Sequence, residues 1–378
     1  MRKIYWRPQS TPIFAFVLIA LFSLGGILAV ERYRTEDKKP QYQKKIQAAR
    51  LALEAMDLVK NERLRRGIPI DAEADPAASG LIGSFVTSVT TDAGNLEAKQ
   101  TTINPNWAAV IVDLLQQAQV KERDPVAVSF SGSFPALNIA VCAALTTLNL
   151  RPTIISSVGG SQWGANQPDF LWIDMEHLLQ ASGLMPFRSV AASFGGRHDQ
   201  GGEMPEKGRE LVREAFERNG LPLIRTRTIR ENIDERMVVY FKAGPPKAYI
   251  NVGGGRAAAG ARPFKTLLKP GLLALQLPAE MKADSVILRF LKERTPVIQI
   301  DNIEELARRY DLPIAPTSMP AVGEGRIYYD TRYNKWLAGG VLFGIIFGLL
   351  IFSRTDWGFR ILQASSRREE IGPPEPMV

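Results

Sequence analysis

Two uninterrupted apolar runs stand near the ends of the chain. Residues 13–30 (IFAFVLIALFSLGGILAV) and 336–352 (WLAGGVLFGIIFGLLIF) contain no charged side chain. At about 1.5 Å per helical residue, each reaches roughly 25–27 Å, enough for the hydrocarbon core of a bilayer. Neither run has the polar face of a helix that packs on a soluble core. Both are therefore expected as transmembrane helices. Arg2, Lys3 and Arg7 form a basic leader before the first run, but Leu28-Ala29-Val30-Glu31 is a poor cleavage site. The run reads as an uncleaved signal anchor.

Between the runs the pattern changes. Ile46, Ala49, Leu53, Met56 and Leu64 recur near a helical period, and Gly67 stops the helix. Residues 31–67 are expected as a juxtamembrane helical stalk. From 68 to 320 short apolar, β-branched stretches alternate with amphipathic ones. Strands are expected at 83–91, 125–130, 153–158, 189–194, 222–226, 248–252 and 296–300. Helices are expected at 135–148, 170–181, 206–218, 231–242, 283–293 and 303–310. One more should follow Asn104, as cap, and Pro105, with Trp107, Val110, Ile111, Leu114 and Leu115 on its apolar face. This alternation predicts the α/β class: a doubly wound, mostly parallel sheet domain held between two transmembrane helices. Residues 321–335 read as a linker, 1–12 as a cytoplasmic N-terminus and 353–378 as a disordered cytoplasmic tail.

Two spans place both termini on one side of the membrane. The flanking basic residues give conflicting votes on which side. Long domains translocate largely regardless of charge, so the signal-like N-terminus sets the expectation. The protein is read as a two-pass membrane protein with its main domain outside the cytoplasm. Gly340, Gly344 and Gly348 lie on one face of the second span. That small-residue spacing permits close approach of the first span or of a second copy, and so allows a homo-oligomer.

Composition narrows the chemistry. The 378 residues carry 47 Lys and Arg against 39 Asp and Glu, a net +8. A lone cysteine, Cys142, excludes a disulfide scaffold and a thiolate zinc cluster. With His177 and His198 as the two histidines, no metal site is predicted. The nearest candidate set would be His198, Asp199 and Glu203, with Asp174 and Glu176. The basic residues are diffuse and lack aromatic interleaving, so nucleic acid is not expected as a partner.

In open α/β sheets, ligands gather beyond the carboxyl ends of strands. Three such ends are rich in glycine and polar residues. The first, Ser131-Gly132-Ser133-Phe134-Pro135, offers hydroxyls and a helix N-terminus suited to a carboxylate or phosphate. The second, Gly195-Gly196-Arg197-His198-Asp199-Gln200-Gly201-Gly202, holds a cation, an imidazole and a carboxylate between glycines. The third is Gly253-Gly254-Gly255-Arg256. None is a Walker loop or a dinucleotide fingerprint, so no ATP, NAD or other cofactor is predicted. Arg197, Arg225, Arg227 and Arg256 could converge there and favour a multiply charged anion. A competing enzymatic reading takes Ser131 or Ser133 as nucleophile, His198 as base and Asp199 as its acid partner. Against it, G-x-S-x-G is absent.

Several stretches carry a family resemblance: 79–83 (SGLIG), 90–101 (TTDAGNLEAKQT), 104–110 (NPNWAAV), 131–140 (SGSFPALNIA), 154–166 (IISSVGGSQWGAN) and 172–178 (WIDMEHL). On these the chain resembles the poly-gamma-glutamate system proteins, bacterial membrane proteins associated with the machinery that makes and exports poly-γ-glutamate. The resemblance implies an accessory role in capsule polymer biosynthesis or export, with the polymer or its synthase and export components as partners. It brings no catalytic residues, so the site candidates rest on the strand-end reading. The competing expectation is a membrane-tethered, serine-dependent amide hydrolase or transferase acting on the polymer.

Overall fold

The computed structural model describes residues 13–196, 198–261, 264–273 and 284–354. The expected N-terminal segment 1–12 and most of the expected tail 353–378 lie outside the described residues. In chain order the elements open with α1 (Ile13–Arg32), β1 (Thr35–Lys38), α2 (Tyr42–Arg65), α3 (Leu96–Thr102) and α4 (Trp107–Gln117). They continue with β2 (Pro125–Ser131), α5 (Pro135–Thr147), β3 (Arg151–Ser157), β4 (Asn166–Gln167), β5 (Phe170–Leu171) and α6 (Trp172–Ala181). Then come β6 (Ala191–Ser193), α7 (Glu206–Asn219), α8 (Ile229–Phe241), β7 (Ala248–Val252), α9 (Arg256–Ala259) and β8 (Gly271–Leu272). The chain finishes with α10 (Val286–Lys292), β9 (Val297–Ile300), α11 (Ile303–Tyr310), β10 (Tyr329–Arg332) and α12 (Lys335–Arg354).

These elements form two compact units. One contains α1, β1, β10 and α12. Within it, β1 and β10 pair antiparallel from Thr35↔Arg332 to Lys38↔Tyr329, so the expected linker 321–335 contains a strand. The α1 and α12 helices pack together. A Cβ at Gly344 would sit 2.9 Å from the Phe22 ring, and one at Gly348 would lie 3.9 Å from Ile19, whereas Gly340 has nothing within 4 Å. The close approach permitted by the glycine stripe is thus made by α1 of the same chain. Among the described residues, no helix is long and apolar enough to cross a membrane. The side chains are described from Phe16 in α1 and to Ile351 in α12.

The other unit spans 39–328 and holds a six-stranded sheet in the order β6-β3-β2-β7-β9-β8. The first five strands are parallel; β8 runs antiparallel at the edge. From β2 the chain lays strands outward through β3 to β6, then returns to add β7 and β9 on the other side. This is the doubly wound arrangement, and its reversal point lies between β2 and β7. The register sets Ser131 beside Ser157, and Ser157 beside Ser193, so three serines stand abreast at the carboxyl ends.

Both faces of the sheet are covered, which is why its strands are almost continuously buried. One face meets α8, α9 and α10 through Ile233, Tyr240, Val286 and Phe290, which pack with Ala127, Ile155, Tyr249 and Val297. The opposite face carries α5 on β2, backed by α2 and α4. Here a sequence expectation is corrected: α2 is not a stalk. Its face of Ala48, Ala49, Ala52, Ala55, Met56 and Val59 is fully buried. Small side chains on that stripe let α2 lie close to α4 and α5. Lys45, on the same face, donates to Asp113 at 2.6 Å and to the Ile327 carbonyl at 3.2 Å. The unit accordingly begins near 39 rather than 68, and the Lys39 N–H donates to the Tyr328 carbonyl at 2.9 Å.

A second correction concerns 83–91, which is a loop. The Thr90 and Thr87 hydroxyls accept from the Thr87 and Val89 N–H groups, the local competition that weakens strand formation, and Asn166 takes further backbone groups of the loop. Asn166 accepts from the Ser84 N–H at 2.9 Å and donates to the Ser84 carbonyl at 2.7 Å, while the Thr87 hydroxyl donates to the Asn166 carbonyl at 2.6 Å. Likewise 222–226 contributes one bridge, Leu223 to Ala192, in place of a full strand. Asn104 does not cap α4 directly. It accepts from the backbone and side-chain N–H groups of Asn106, which precedes the helix.

Candidate functional site

The three glycine-rich strand ends open onto a cleft of about 960 Å³ at the carboxyl edge of the sheet. Ser131, Ser133 and Phe134 line it from the first end, Gly195, Gly196 and Asp199 from the second, and Gly254, Gly255 and Arg256 from the third. Gly132 and Gly253 shape the walls instead. Gly132 donates to the Ser157 carbonyl at 2.8 Å and accepts from the Ala165 N–H at 2.7 Å. A Cβ there would fall 2.3 Å from the Val158 carbonyl oxygen, so glycine is required for close approach. Gly132→Ala should lower unfolding free energy by about 1–3 kcal/mol through overpacking, read as a reduced denaturation midpoint of the full chain. The Gly253 carbonyl accepts from Asn251 at 2.7 Å and Gln299 at 3.2 Å, which pins the third end to the sheet.

Asp199 does not serve a histidine. It is buried in the cleft floor against Arg236, with 2.8 Å between Oδ2 and Nη2. Its Oδ1 accepts from the Ser193 hydroxyl at 2.7 Å and the Ser157 hydroxyl at 3.2 Å. Arg236 also donates to Asn232 at 2.8 Å. Burial is the largest influence and opposes the guanidinium charge, but the charge and hydrogen bond of Asp199, together with Tyr240 and Tyr249, outweigh it and raise the Arg236 pKa. His198 is exposed and does not line the cleft. Adjacent residues in a tight turn diverge, which separates the imidazole from the carboxylate; the Ser–His–Asp arrangement is therefore not formed. Arg197 lies outside the described residues. Arg225 and Arg227 are exposed and stand away from the lining. Of the remaining acidic candidates, Glu203 lines the cleft. Asp174 pairs with Arg218 at 2.6 Å, and Glu176 is buried beneath Ser189.

A wall of the cleft beside the first glycine-rich end comes from α3, an element the sequence reading missed. Asn95 caps it by accepting from the Ala98 N–H at 3.2 Å. The helix carries Lys99, which is 2 % exposed. Lys99 Nζ donates to the Ser133 carbonyl and, at 2.8 Å, to the Ser161 hydroxyl. It also stands 4.0 Å from the centroid of the Phe134 ring. Its neighbours are thus a carbonyl, a hydroxyl and a ring rather than a carboxylate. Burial lowers its pKa to about 7, partly countered by the charge of Asp301. Ser161 lines the cleft and donates its N–H to the Ser133 hydroxyl at 3.1 Å. The Ser131 hydroxyl in turn accepts from the Ser133 N–H at 3.2 Å.

The electrostatics are mixed. Lys99, Arg236, Arg256 and Lys265 share the cleft with Asp92, Asp199, Glu203, Asp301 and Glu304. Of the four arginines expected to converge at these strand ends, Arg256 lines the cleft, and carboxylates from the segments around α3, α7 and α11 stand at the same edge. Lys265 is held over the third strand end by the Gly254 carbonyl at 3.0 Å. Comparison of the chain with known protein families, curated proteins and solved structures found no match.

Proposed function

We propose that this chain is a membrane-anchored accessory component of bacterial poly-γ-glutamate biosynthesis or export, and that its α/β unit takes a short segment of the polymer into the cleft. One observation carries the reading. Three stretches that bear the family resemblance, 90–101, 131–140 and 154–166, all supply side chains to this cleft, among them Asp92, Lys99, Ser131, Ser133, Ser157 and Ser161. The polymer offers repeated α-carboxylates along an amide backbone. Arg256 and Lys265 suit the carboxylates, and the serine hydroxyls and loop amides suit the backbone. The carboxylates of Asp301 and Glu304 suit an ammonium, so the cleft favours a chain end over a long polyanionic stretch.

The anchoring half of the proposal rests on α1 and α12. Leu21, Leu28, Phe343 and Phe347 are each more than half exposed within their unit. Apolar surface left open on this scale marks a membrane or partner contact. In this reading the two helices are the transmembrane pair, and the α/β unit faces outward from the inner membrane.

Full-length protein in detergent should bind poly-γ-glutamate at low ionic strength and release it as salt shortens the screening distance to about 3 Å at 1 M. Replacing Arg256 and Lys265 together by Ala removes two partly exposed charge contacts of about 0.2–1 kcal/mol each, a loss of roughly two- to thirtyfold in affinity. Titration by calorimetry reads both effects. An absence of binding at low salt would overturn direct handling of the polymer.

A further inference from the structure

The serine nucleophile expected from sequence lacked a base, because His198 does not line the cleft. The structure supplies a different pair. We propose that Ser161 and Lys99 form a nucleophile–base pair for acyl transfer at an amide carbonyl, with Lys99 Nζ standing 2.8 Å from Ser161 Oγ at the wall of the cleft. The inference deepens the polymer-binding reading, since it rests on the polymer's amide backbone being the group presented to Ser161.

Three features fit the role. First, the pair lines a cleft with room for a substrate, so the hydroxyl is placed where a carbonyl could reach it. Second, Lys99 is oriented by contacts other than Ser161. The Ser133 carbonyl takes one proton and the Phe134 ring covers the nitrogen, leaving the direction toward Ser161 fixed. A base held by a third group is the geometry that activates a serine. Third, burial keeps the amine near the point at which it can lose its proton at neutral pH.

The steps balance without another reagent. Neutral Lys99 accepts the Ser161 hydroxyl proton as Oγ bonds to the amide carbon. The tetrahedral intermediate collapses by breaking the C–N bond, and the departing nitrogen takes the proton from the Lys99 ammonium. An acyl ester on Ser161 remains. Water, or an amine acceptor, then attacks that ester as Lys99 takes its proton. The C–Oγ bond breaks, and Lys99 returns the proton to Ser161. Water gives hydrolysis and a shortened polymer; an amine gives transfer of the chain to a new attachment point.

The test uses the full-length protein in detergent and a fluorophosphonate probe that forms a stable ester with activated serines. Labelling should map to Ser161 by peptide mass, with a rate that rises through a midpoint near pH 7. Ser161→Ala should abolish it. Lys99→Arg, which keeps the cation and cannot act as base, should slow it by at least about 100-fold. Polymer incubated with the wild-type chain should shorten or acquire the added amine, and Ser161→Ala should not support this. Labelling on another serine, or unchanged labelling in Lys99→Arg, overturns the pair. A wild-type chain that binds polymer yet neither labels nor alters it also overturns the pair and leaves the binding reading intact. Labelling without polymer binding supports the pair and removes poly-γ-glutamate as its substrate. Should Lys99→Arg fail to fold by circular dichroism, Ser161→Ala decides alone, because it deletes one oxygen from a folded loop.

Discussion

Asp199→Asn lowers the unfolding free energy of the α/β unit by about 3–5 kcal/mol, the cost of leaving a buried charge without its partner. Arg236 is 1 % exposed and cannot shed its proton. With Asp199 neutral, the guanidinium keeps the hydroxyls of Ser157 and Ser193 and the amide of Asn232, but those are dipoles facing a full charge. Asparagine isolates the electrostatic effect. Asp199 has φ 61°, a left-handed conformation that Asn tolerates and most residues do not. The same charge removed at the cleft rim, in Glu304→Gln, should change stability by less than about 0.5 kcal/mol. Denaturant midpoints on the three proteins measure the contrast. A loss below about 1 kcal/mol in Asp199→Asn would mean that water reaches Arg236, and the cleft floor would have to be redrawn. Replacing the pair jointly by apolar residues, Asp199→Leu with Arg236→Met, should recover much of the loss.

The second large effect is a pH profile with a minimum. Burial raises the Glu176 carboxyl to about pKa 7 from its usual 4.5, although hydrogen bonds from Ser189 oppose the shift. One oxygen accepts from the Ser189 hydroxyl at 3.0 Å; the other has no hydrogen-bond partner among the described residues. Between pH 4.5 and 7 the folded protein holds a proton there that the unfolded chain releases. Stability therefore falls across that window, by about 3 kcal/mol in all. Lys99 acts in the opposite sense at higher pH. Its folded pKa is lowered to about 7 from 10.5, so from pH 7 to 10.5 the unfolded chain binds the additional proton and stability rises. Together these two groups place a stability minimum near pH 7. Glu176→Gln should flatten the limb below pH 7 and stabilise the protein above it, leaving the upper limb unchanged. Chemical denaturation at half-unit pH steps separates the limbs. A variant that retains the lower slope would show that Glu176 is already ionised in the fold.

The alternation of strands and helices was legible because buried parallel strands are short apolar runs and the intervening helices repeat at 3.6. The stretch 248–252 is as plain in sequence as in structure. The meeting of the three glycine-rich ends was legible too, since a doubly wound sheet directs every strand end to one edge. Local pattern failed where side chains do work that periodicity does not record. The Thr-rich stretch 83–91 has strand-like composition but spends its hydroxyls and amides on a loop. The seven residues of α3, LEAKQTT, are too few and too polar to declare an apolar face. Lys99 was hidden for that reason. Arg236 left a fainter trace: it shares a helical face with Asn232, Ile233 and Tyr240, all buried, so a cation is placed on the inward stripe of α8. A charged residue in such a position must find a buried partner, and Asp199 is that partner. The α2 helix shows the converse problem. Its alanine-rich stripe reads equally as a free-standing helix or a packed one, and which of these holds depends on neighbours more than forty residues away.

The hydrogen bond between Lys39 and Tyr328 brings the first and last residues of the α/β unit to the same spot. Topologically the unit is a nearly closed loop. A circular permutant that joins those ends through a short glycine linker, with new termini at the exposed Gly202, should fold to the same sheet. The order in which the strands leave the ribosome is then free to vary without altering the cleft they build.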